Sequence, residues 1–400
     1  WRARHDGAGR SLKRVQPALA APSGANWAPS QTDGGSPGRA NTAAQDDIAP
    51  LLLKPAHAPA LPRSTDPVLF SVEVTDEKDA GLAASVYLRE SADAPWRQVA
   101  LAEEAPGYFA AEAGPFPEGA VVEYYYAAED ASGNTRTWPP PTAPDGEQNA
   151  NAFVLVSDKV SPAAVPRYVL AMRAGDRQQL LEIGDGVGGD HESDAQMNAT
   201  FFALVNDAVE VRHNVGVRIR GHSNRTNPPN SYRVNFVSDA PFEGRRALAL
   251  NSNNTWMQIL GSALFREAGV PAAEAWPVRL SINGENDAVP GERMYGCYAA
   301  LEVFDSAYTD RDFGNGGNLY RCREGAHLRY EGPAPEAYQP YYFKQTNRSE
   351  DDWRDLIQLV NTLGEAPFEE LPQSLETVAD ADEWWRFFAA DALLGNHEAG

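Results

Sequence analysis

Cysteine, basic residues and long apolar runs are all scarce in this sequence. Cys297 and Cys322 are its only cysteines, and 34 Lys and Arg stand against 56 Asp and Glu, for a net charge of -22. We do not expect so acidic a chain to bind nucleic acid or an anionic membrane, because both partners are negative themselves. No run approaches the roughly 18 apolar residues of a membrane-spanning helix.

The two cysteines are too few to form a zinc site by themselves and fit no C-x-x-C spacing. They form a disulfide if their Cα atoms come within about 7 Å, and otherwise stay as free thiols; the sequence leaves both open. The first residue is Trp1 rather than Met, with no charged and then apolar leader. The chain is therefore expected to be a piece of something longer.

The length of 400 residues predicts two or three domains, and a hydrophobic content of 42% is enough to build their cores. Residues 62–156 consist of short alternating runs separated by Gly, Pro, Asp and Asn, which predicts an all-β sandwich. Its VEYYYAAEDASGNT segment resembles the late strands of immunoglobulin and fibronectin type III modules. In that resemblance Tyr124 or Tyr126 is a corner or core aromatic, and the residues from Asp130 to Asn134 form a turn. The module is expected to be a spacer or an adhesion domain.

Residues 1–60 are rich in Ala, Pro, Gly and Ser and show almost no apolar periodicity, which is typical of irregular chain. GRSLKRV and the later ANWAPSQTDGGSPGRAN nevertheless resemble the end of a lamin-tail-like domain. The resemblance implies that residues 1–45 are the C-terminal remnant of such a domain. An isolated remnant can bury little surface, so little order is expected there, and the composition predicts that residues 46–61 are a linker. The matching positions are Gly9, Ser11, Leu12, Arg14, Trp27, Gly35, Pro37, Gly38 and Asn41.

The order of strand and helix patterns in residues 165–400 predicts an α+β domain, with a mainly antiparallel sheet followed by helices. Helices are expected at Met257–Ala268, after Ser349 as far as Gly364, and at Asp382–Leu394, each packed through an apolar face. A Gly- and Asp-rich stretch around Asp185–Asp194 is either a calcium loop or a solvated surface loop, and it lacks the fixed spacing of an EF-hand.

Within this domain, NVGVRIRGHSNRTNPPNSYRVNF at 214–236 alternates apolar and polar residues on two strands. The polar positions put arginines on one side, next to a loop containing Ser223. Guanidinium groups offer forked donors that suit phosphate. The alternative is the solvated face of an ordinary antiparallel hairpin.

The same stretch resembles the core signature of the CotH kinase family, named for a spore-coat protein. Later segments extend the resemblance over about 165–400: GVP, Y-G-x-Y-x-x-x-E, GNLY, YYFKQTN with its D-W helix, and RFFAADALLGNHEAG. The matching residues in the first signature are Arg218, Arg220, Gly221, Ser223, Pro228, Ser231, Tyr232 and Phe236.

The resemblance implies an atypical protein-kinase-like fold that transfers phosphate from ATP, with Mg²⁺ or Mn²⁺, to a protein substrate. That substrate is expected to be an extracellular or coat protein, and the chain to be extracellular or at the cell surface. Phosphoryl transfer needs cations at the phosphates, carboxylates at the metal and a group that orients the nucleophile. The resemblance gives the catalytic positions to Asn396 and Glu398. It gives nucleotide and phosphate contacts to Arg218, Arg220, Ser223, Arg233, Glu302 and Lys344.

The sequence departs from the family pattern at Pro229 and Asn230, where lysines are usual, and at Glu398, where Asp is usual. Glu is one methylene longer, and a displacement of about 1 Å can cost on the order of a hundredfold in rate. The metal carboxylates are expected beyond residue 400. The alternative function is therefore an inactive CotH-like scaffold, serving as an adhesion or envelope structural module. A third possibility is glycan binding by the sandwich.

Overall fold

The computed structural model describes most of the chain, in two compact units. The first unit comprises Trp1–Arg246 with Val278–Val289, and the second comprises Ala247–Pro277 with Pro290–Gly400. The described residues are 9–19, 23–78, 80–159, 165–185, 191–206, 208–221, 225–286, 296–314 and 316–395.

The first unit begins with a small antiparallel pair, β1 (Leu12–Arg14) and β2 (Trp27–Pro29). A buried amide ties the two ends together. Asn26 accepts a hydrogen bond from the backbone N of Gln16 at 2.7 Å and donates to the Gln16 carbonyl at 2.9 Å. These residues therefore hold a defined local structure. Their kinship with a lamin-tail-like domain stays a prediction.

Eight antiparallel strands follow, in the order β10-β8-β5-β6-β7-β4-β3, with β9 beside β8. Val86 of β5 and Phe70 of β4 belong to one buried core, so the two halves of this sheet face each other across it. The strands are β3 (Leu51–Ala58), β4 (Val68–Thr75), β5 (Ala83–Arg89), β6 (Arg97–Ala105), β7 (Tyr108–Ala113), β8 (Val121–Glu129), β9 (Thr135–Trp138) and β10 (Ala152–Leu155).

The boundary of this module differs from the prediction. β3 lies inside the segment 46–61, which was predicted to be a linker, and it pairs with β4 from Leu51 opposite Thr75 to Ala58 opposite Leu69. Tyr124 and Tyr126 of β8 are completely buried, as predicted. The turn after β8 also has the predicted form, because Asp130 Oδ1 accepts the backbone N–H groups of Ser132 and Asn134 at 2.8 and 2.9 Å.

The rest of the first unit is a second, mainly antiparallel sheet. It contains β11 (Arg167–Ala171), β12 (Met197–Val205), β13 (Ala208–Arg220) and β14 (Ser231–Asn235), with α1 (Ala174–Asp185) after β11. β12 pairs with both β11 and β13, and β14 pairs with β13. Phe201 of β12 is fully buried among the rings of Tyr168, Phe236 and Phe242.

The second unit contains short strands and most of the helices. Its elements are β15 (Ala247–Asn251), α2 (Thr255–Glu267), the first residues of β16 (Ala275–Ile282), β17 (Tyr298–Glu302), α3 (Ser306–Phe313), β18 (Tyr320–Cys322), β19 (Tyr342–Lys344), α4 (Arg354–Glu365), α5 (Leu371–Leu375) and α6 (Ala381–Leu394). The last residues of β16 belong to the first unit, where they run parallel to β11. Cys297 and Cys322 are free thiols.

The helices form where the apolar spacing predicts them, but two do not bury the predicted face. α4 packs through Trp353, Leu356 and Val360, as expected. On α2 the apolar residues Met257 and Leu260, which the expected packing would bury, are about half exposed, and on α6 Trp385 and Leu393 are 71% and 88% exposed. Within the described part of the chain, none of the helices has the length and apolar character of a membrane span.

Candidate phosphate-binding site

Three arginines share one face of the β13–β14 hairpin. In the antiparallel register Arg218 lies opposite Arg233, and Arg220 lies opposite Ser231. The alternate residues, Val217, Ile219, Tyr232 and Val234, are buried. Since side chains alternate between the two faces of a strand, burial of this apolar set places the arginines together on the other side. The sequence pattern predicted this arrangement correctly.

The arginines raise the positive potential of this face. Burial lowers the pKa of Arg220, and the neighbouring charges of Arg233 and Arg218 lower it further. A nearby charge of the same sign disfavours the charged form of an ionisable group. Arg233 donates from Nε to Asn235 Oδ1 at 2.8 Å, a neutral partner that leaves the charge uncompensated by that contact. A bound anion would relieve the repulsion.

One carboxylate already faces this surface. Arg218 donates to Asp194 Oδ1 at 2.7 Å, and Arg225 reaches the same oxygen at 3.2 Å. Arg225 is 5% exposed and also donates to the carbonyls of His191, at 2.5 Å, and Ser193. The acidic stretch that was weighed as a calcium loop therefore supplies a counter-ion to arginines. No local sequence pattern indicates this pairing, because the partners are more than 20 residues apart.

Asn230 stands where the family usually has lysine, and its role in this chain is structural. Its side chain is 2% exposed. The amide nitrogen donates to the backbone carbonyls of Gly184 and Arg225, at 3.1 and 3.0 Å. These bonds tie the end of α1 to the loop before β14. The position cannot supply a cation, so any phosphate on this face must rely on the arginines.

The second unit holds two further predicted residues, each with its own partners. Glu302 of β17 is 7% exposed and accepts hydrogen bonds from Arg311 of α3 and, at 3.3 Å, from the backbone N of Glu274. Glu302 was predicted to contact the nucleotide or its phosphates, and the cation beside it in the structure is Arg311. Hydrogen bonds to Asp312 and to Glu302 raise the pKa of Arg311 above its ordinary value.

Lys344 of β19 is buried, and its ammonium donates to the backbone carbonyl of Asp352. The GNLY segment lies directly beside it, since Tyr320 is opposite Lys344 in the β18–β19 pair. Asn318 and Tyr320 both donate to the carboxylate of Asp355 on α4, at 2.8 and 2.6 Å. These contacts hold β18, β19 and α4 together. The GNLY and YYFKQTN segments, which carry part of the CotH resemblance, therefore stabilise the fold of the second unit.

The remaining predicted residues, Ser223, Asn396 and Glu398, lie outside the described residues. Arg218, Arg220 and Arg233 thus form one group in the first unit, while Glu302 and Lys344 belong to the second. Among the described residues, no group of three or more His, Cys, Asp or Glu side chains could hold a metal ion.

Comparison with known proteins gives one family match. Residues 217–399 match the family model described as CotH kinase protein. No curated protein matches the chain. A cycloalternan-forming enzyme from Listeria monocytogenes, solved with a pentasaccharide substrate, is 10% identical over 49% of this chain and 19% of its own, with a TM-score of 0.20.

An uncharacterized protein from Listeria monocytogenes EGD-e, solved with glucose, magnesium and calcium, is 11% identical over 49% of this chain and 19% of its own, also with a TM-score of 0.20. The chain therefore spans about a fifth of the length of these two proteins. At this TM-score neither likeness carries an argument about fold or function.

Proposed function

We propose that residues 217–399 act as a CotH-type phosphotransferase that binds ATP on the arginine face of the β13–β14 hairpin. The γ-phosphoryl group would pass to a hydroxyl oxygen of a protein substrate, leaving ADP, while the hydroxyl proton leaves to a base or to solvent. The proposed substrate is an extracellular or coat protein, and the proposed location is outside the cell or at its surface. The match to the CotH model and the clustering of Arg218, Arg220 and Arg233 support this proposal.

The arginine cluster is the observation that carries the proposal. The chain has a net charge of -22, so a concentration of positive charge on one strand pair runs against its overall balance. Arginine presents planar forked donors that match phosphate oxygens. Burial, and then the neighbouring charges of Arg233 and Arg218, lower the pKa of Arg220, so a polyphosphate bound on this face would offset the repulsion among these cations.

The described residues fit the phosphates of ATP better than they fit a metal. Guanidinium groups would bind the phosphate oxygens and neutralise charge that develops in transfer. Mg²⁺ or Mn²⁺ is part of the proposal as the companion cation of ATP. The described residues contain no carboxylate cluster that could hold it, so the roles proposed here belong to the arginines alone.

The test is binding of Mn²⁺·ATP to the intact chain, measured by calorimetry for the wild type and Arg220→Gln. A hydrogen bond to a charged group contributes about 1.5–3 kcal/mol, so the variant should bind about ten- to a hundredfold more weakly. Arg97→Gln is the matched control, because it removes the same charge from an exposed position at the start of β6. Phosphoryl transfer is followed by ADP release and by mass spectrometry of the phosphorylated protein.

Equal ATP affinity in Arg220→Gln and the wild type would refute the proposed site. If the wild type binds ATP but releases no ADP with either metal and any protein offered, the phosphotransferase proposal fails while nucleotide binding stands.

A second candidate is a catalytically inactive scaffold that serves as an adhesion or envelope structural module. The buried amide of Asn230 favours it, because the position that usually carries lysine is committed to two backbone carbonyls. This candidate predicts that ATP leaves the unfolding temperature unchanged. Binding to a cell-envelope or coat preparation would then be the same for Arg220→Gln and the wild type.

A further inference from the structure

A polar cleft lies in the first unit, between the β-sandwich and the β11–β16 strand pair. Its volume is about 300 Å³, at the small end of ligand pockets. On the sandwich side the lining includes Leu61, Glu118 and Leu155, and on the other side it includes Val169. None of the residues of the β13–β14 arginine face lines it, so this cleft is distinct from the candidate phosphate site.

Three cations line the cleft. Arg167 and Arg279 are direct neighbours in the parallel pairing of β11 with β16, which brings two like charges side by side on adjacent strands. Lys159 adds a third cation from the end of the sandwich. Within the described residues, the side chains of Arg279 and Lys159 have no hydrogen-bond or ion-pair partner, and both are exposed.

The two acids that line the cleft are already engaged. Glu118 Oε2 accepts a hydrogen bond from the backbone N of Asp158 at 2.6 Å. Glu285 forms an ion pair with Arg177 at 2.8 Å. The backbone N–H leaves the charge of Glu118 in place, while Arg177 compensates the charge of Glu285. Three cations against two carboxylates leave the lining with one net positive charge in a strongly acidic protein.

The floor of the cleft is apolar. Leu155 and Val169 are buried there, and Leu61 packs against the same cluster. Ser281 and Asn283 add hydrogen-bonding groups beside the cations. A ligand that contacts both the cations and the apolar floor of the cleft needs an anionic group and an apolar body.

We propose that this cleft binds a small molecule with one oxyanion group, a phosphate, sulfate or carboxylate, attached to an apolar body. Arg279 and Lys159 bind the oxyanion, Arg167 contributes charge from the adjacent strand, and the apolar body lies on Leu155 and Val169. The volume excludes a polymer, so the ligand is a free small molecule or the end group of a chain.

The experiment measures binding of phenyl phosphate to the intact protein by calorimetry, with inorganic phosphate and phenol as the separate halves of the probe. Phenyl phosphate should bind in the millimolar range or tighter, and more tightly than either half. Arg279→Gln and Lys159→Gln should each weaken binding about tenfold. Arg97→Gln should leave it unchanged. Both altered residues are exposed, so loss of folding does not complicate the comparison, and circular dichroism verifies this.

All these measurements are repeated in an Arg220→Gln background, which removes a central cation of the other proposed site. Binding that persists in Arg220→Gln and falls in Arg279→Gln assigns the ligand to the cleft, whether or not the protein binds ATP. Phenyl phosphate binding that is absent, or that is lost in Arg220→Gln but unaffected by Arg279→Gln and Lys159→Gln, overturns the proposal.

Discussion

Acidification should destabilise the first unit through a histidine buried in it. His57 of β3 is 7% exposed, with Nε2 3.0 Å from the carbonyl of Ala60 and Nδ1 2.9 Å from the hydroxyl of Tyr124. A carbonyl can only accept, so Nε2 carries the proton of the neutral ring and Nδ1 accepts from Tyr124. Protonation at Nδ1 would take that acceptor away and place a charge in the core.

Burial lowers the pKa of His57 from 6.5 to about 4, although the hydrogen bond to Ala60 opposes the shift. The unfolded chain therefore binds a proton at pH 5 that the folded chain does not. Linkage makes stability fall as the pH drops from 6.5 towards 4, by about 2 kcal/mol at pH 5 and about 3 kcal/mol at pH 4. Below pH 4 both states are protonated and the loss levels off.

A second histidine also makes the folded state less stable as the pH falls. The ring of His213 lies 5.8 Å from that of His57, centroid to centroid. Burial, then the charges of His57 and Arg212, lower its pKa to about 3. His213 is only partly buried, so solvent screening makes its contribution smaller than its pKa alone suggests.

The assay is hydrogen exchange of β3 and β8 peptides in increasing urea, at pH 7 and pH 5, after correction for intrinsic exchange rates. This readout follows the sandwich alone, which matters because a chain of several domains need not unfold in one step. His57→Gln keeps a donor and an acceptor but cannot titrate. The free energy of unfolding should therefore fall between pH 7 and pH 5 by about 2 kcal/mol less in this variant than in the wild type. His191→Gln is the control, because its side chain is 47% exposed. If the free energy of unfolding falls between pH 7 and pH 5 as much in His57→Gln as in the wild type, His57 is not the cause of the loss.

Three other substitutions test buried polar contacts. Glu123 is 3% exposed and binds two arginines; burial opposes its ionisation, but these bonds outweigh it and lower its pKa. Glu123→Gln should reduce the free energy of unfolding by about 3–5 kcal/mol, measured by hydrogen exchange of β8 in increasing urea, and a loss below 1 kcal/mol, about the value of an exposed pair, would contradict that. Asn230→Ala leaves two carbonyls without their donor and should cost about 1–3 kcal/mol, measured in the same way on β14; wild-type stability would show that water replaces the amide. Glu302→Gln should speed hydrogen exchange in β17 because it weakens the ion pair with Arg311. Exchange as slow as in the wild type would show that the ion pair does not stabilise β17.

The arginine face shows what a sequence pattern can predict. A strand exposes alternate residues by geometry, so the apolar positions from Val215 to Val234 were sufficient to place Arg218, Arg220 and Arg233 on one side. The pattern could not predict Asp194 or Arg311 as partners. Such pairs depend on which loop or helix the tertiary fold brings near, and no local periodicity encodes that.

β3 and the two exposed helices show where local rules fail. The composition of residues 1–60 predicted a linker at 46–61, yet pairing with β4 makes a strand there, with a register shift between Leu53 and Ala56 that accommodates the irregular residues. On α2 and α6 the apolar periodicity predicted the helices but not their surroundings. Spacing shows that a helix has an apolar face, not that another element covers it.

Asp194 has a further consequence for any anion that approaches the arginines. Its carboxylate occupies Arg218 and Arg225 together, so it acts as an internal competitor that an incoming ligand must displace. A singly charged ion such as chloride offers no more charge than the carboxylate it would replace, whereas a polyphosphate offers more. If anions bind at these arginines as proposed, Asp194 would favour highly charged ligands over weakly charged ones, and Asp194→Asn should let weaker anions bind.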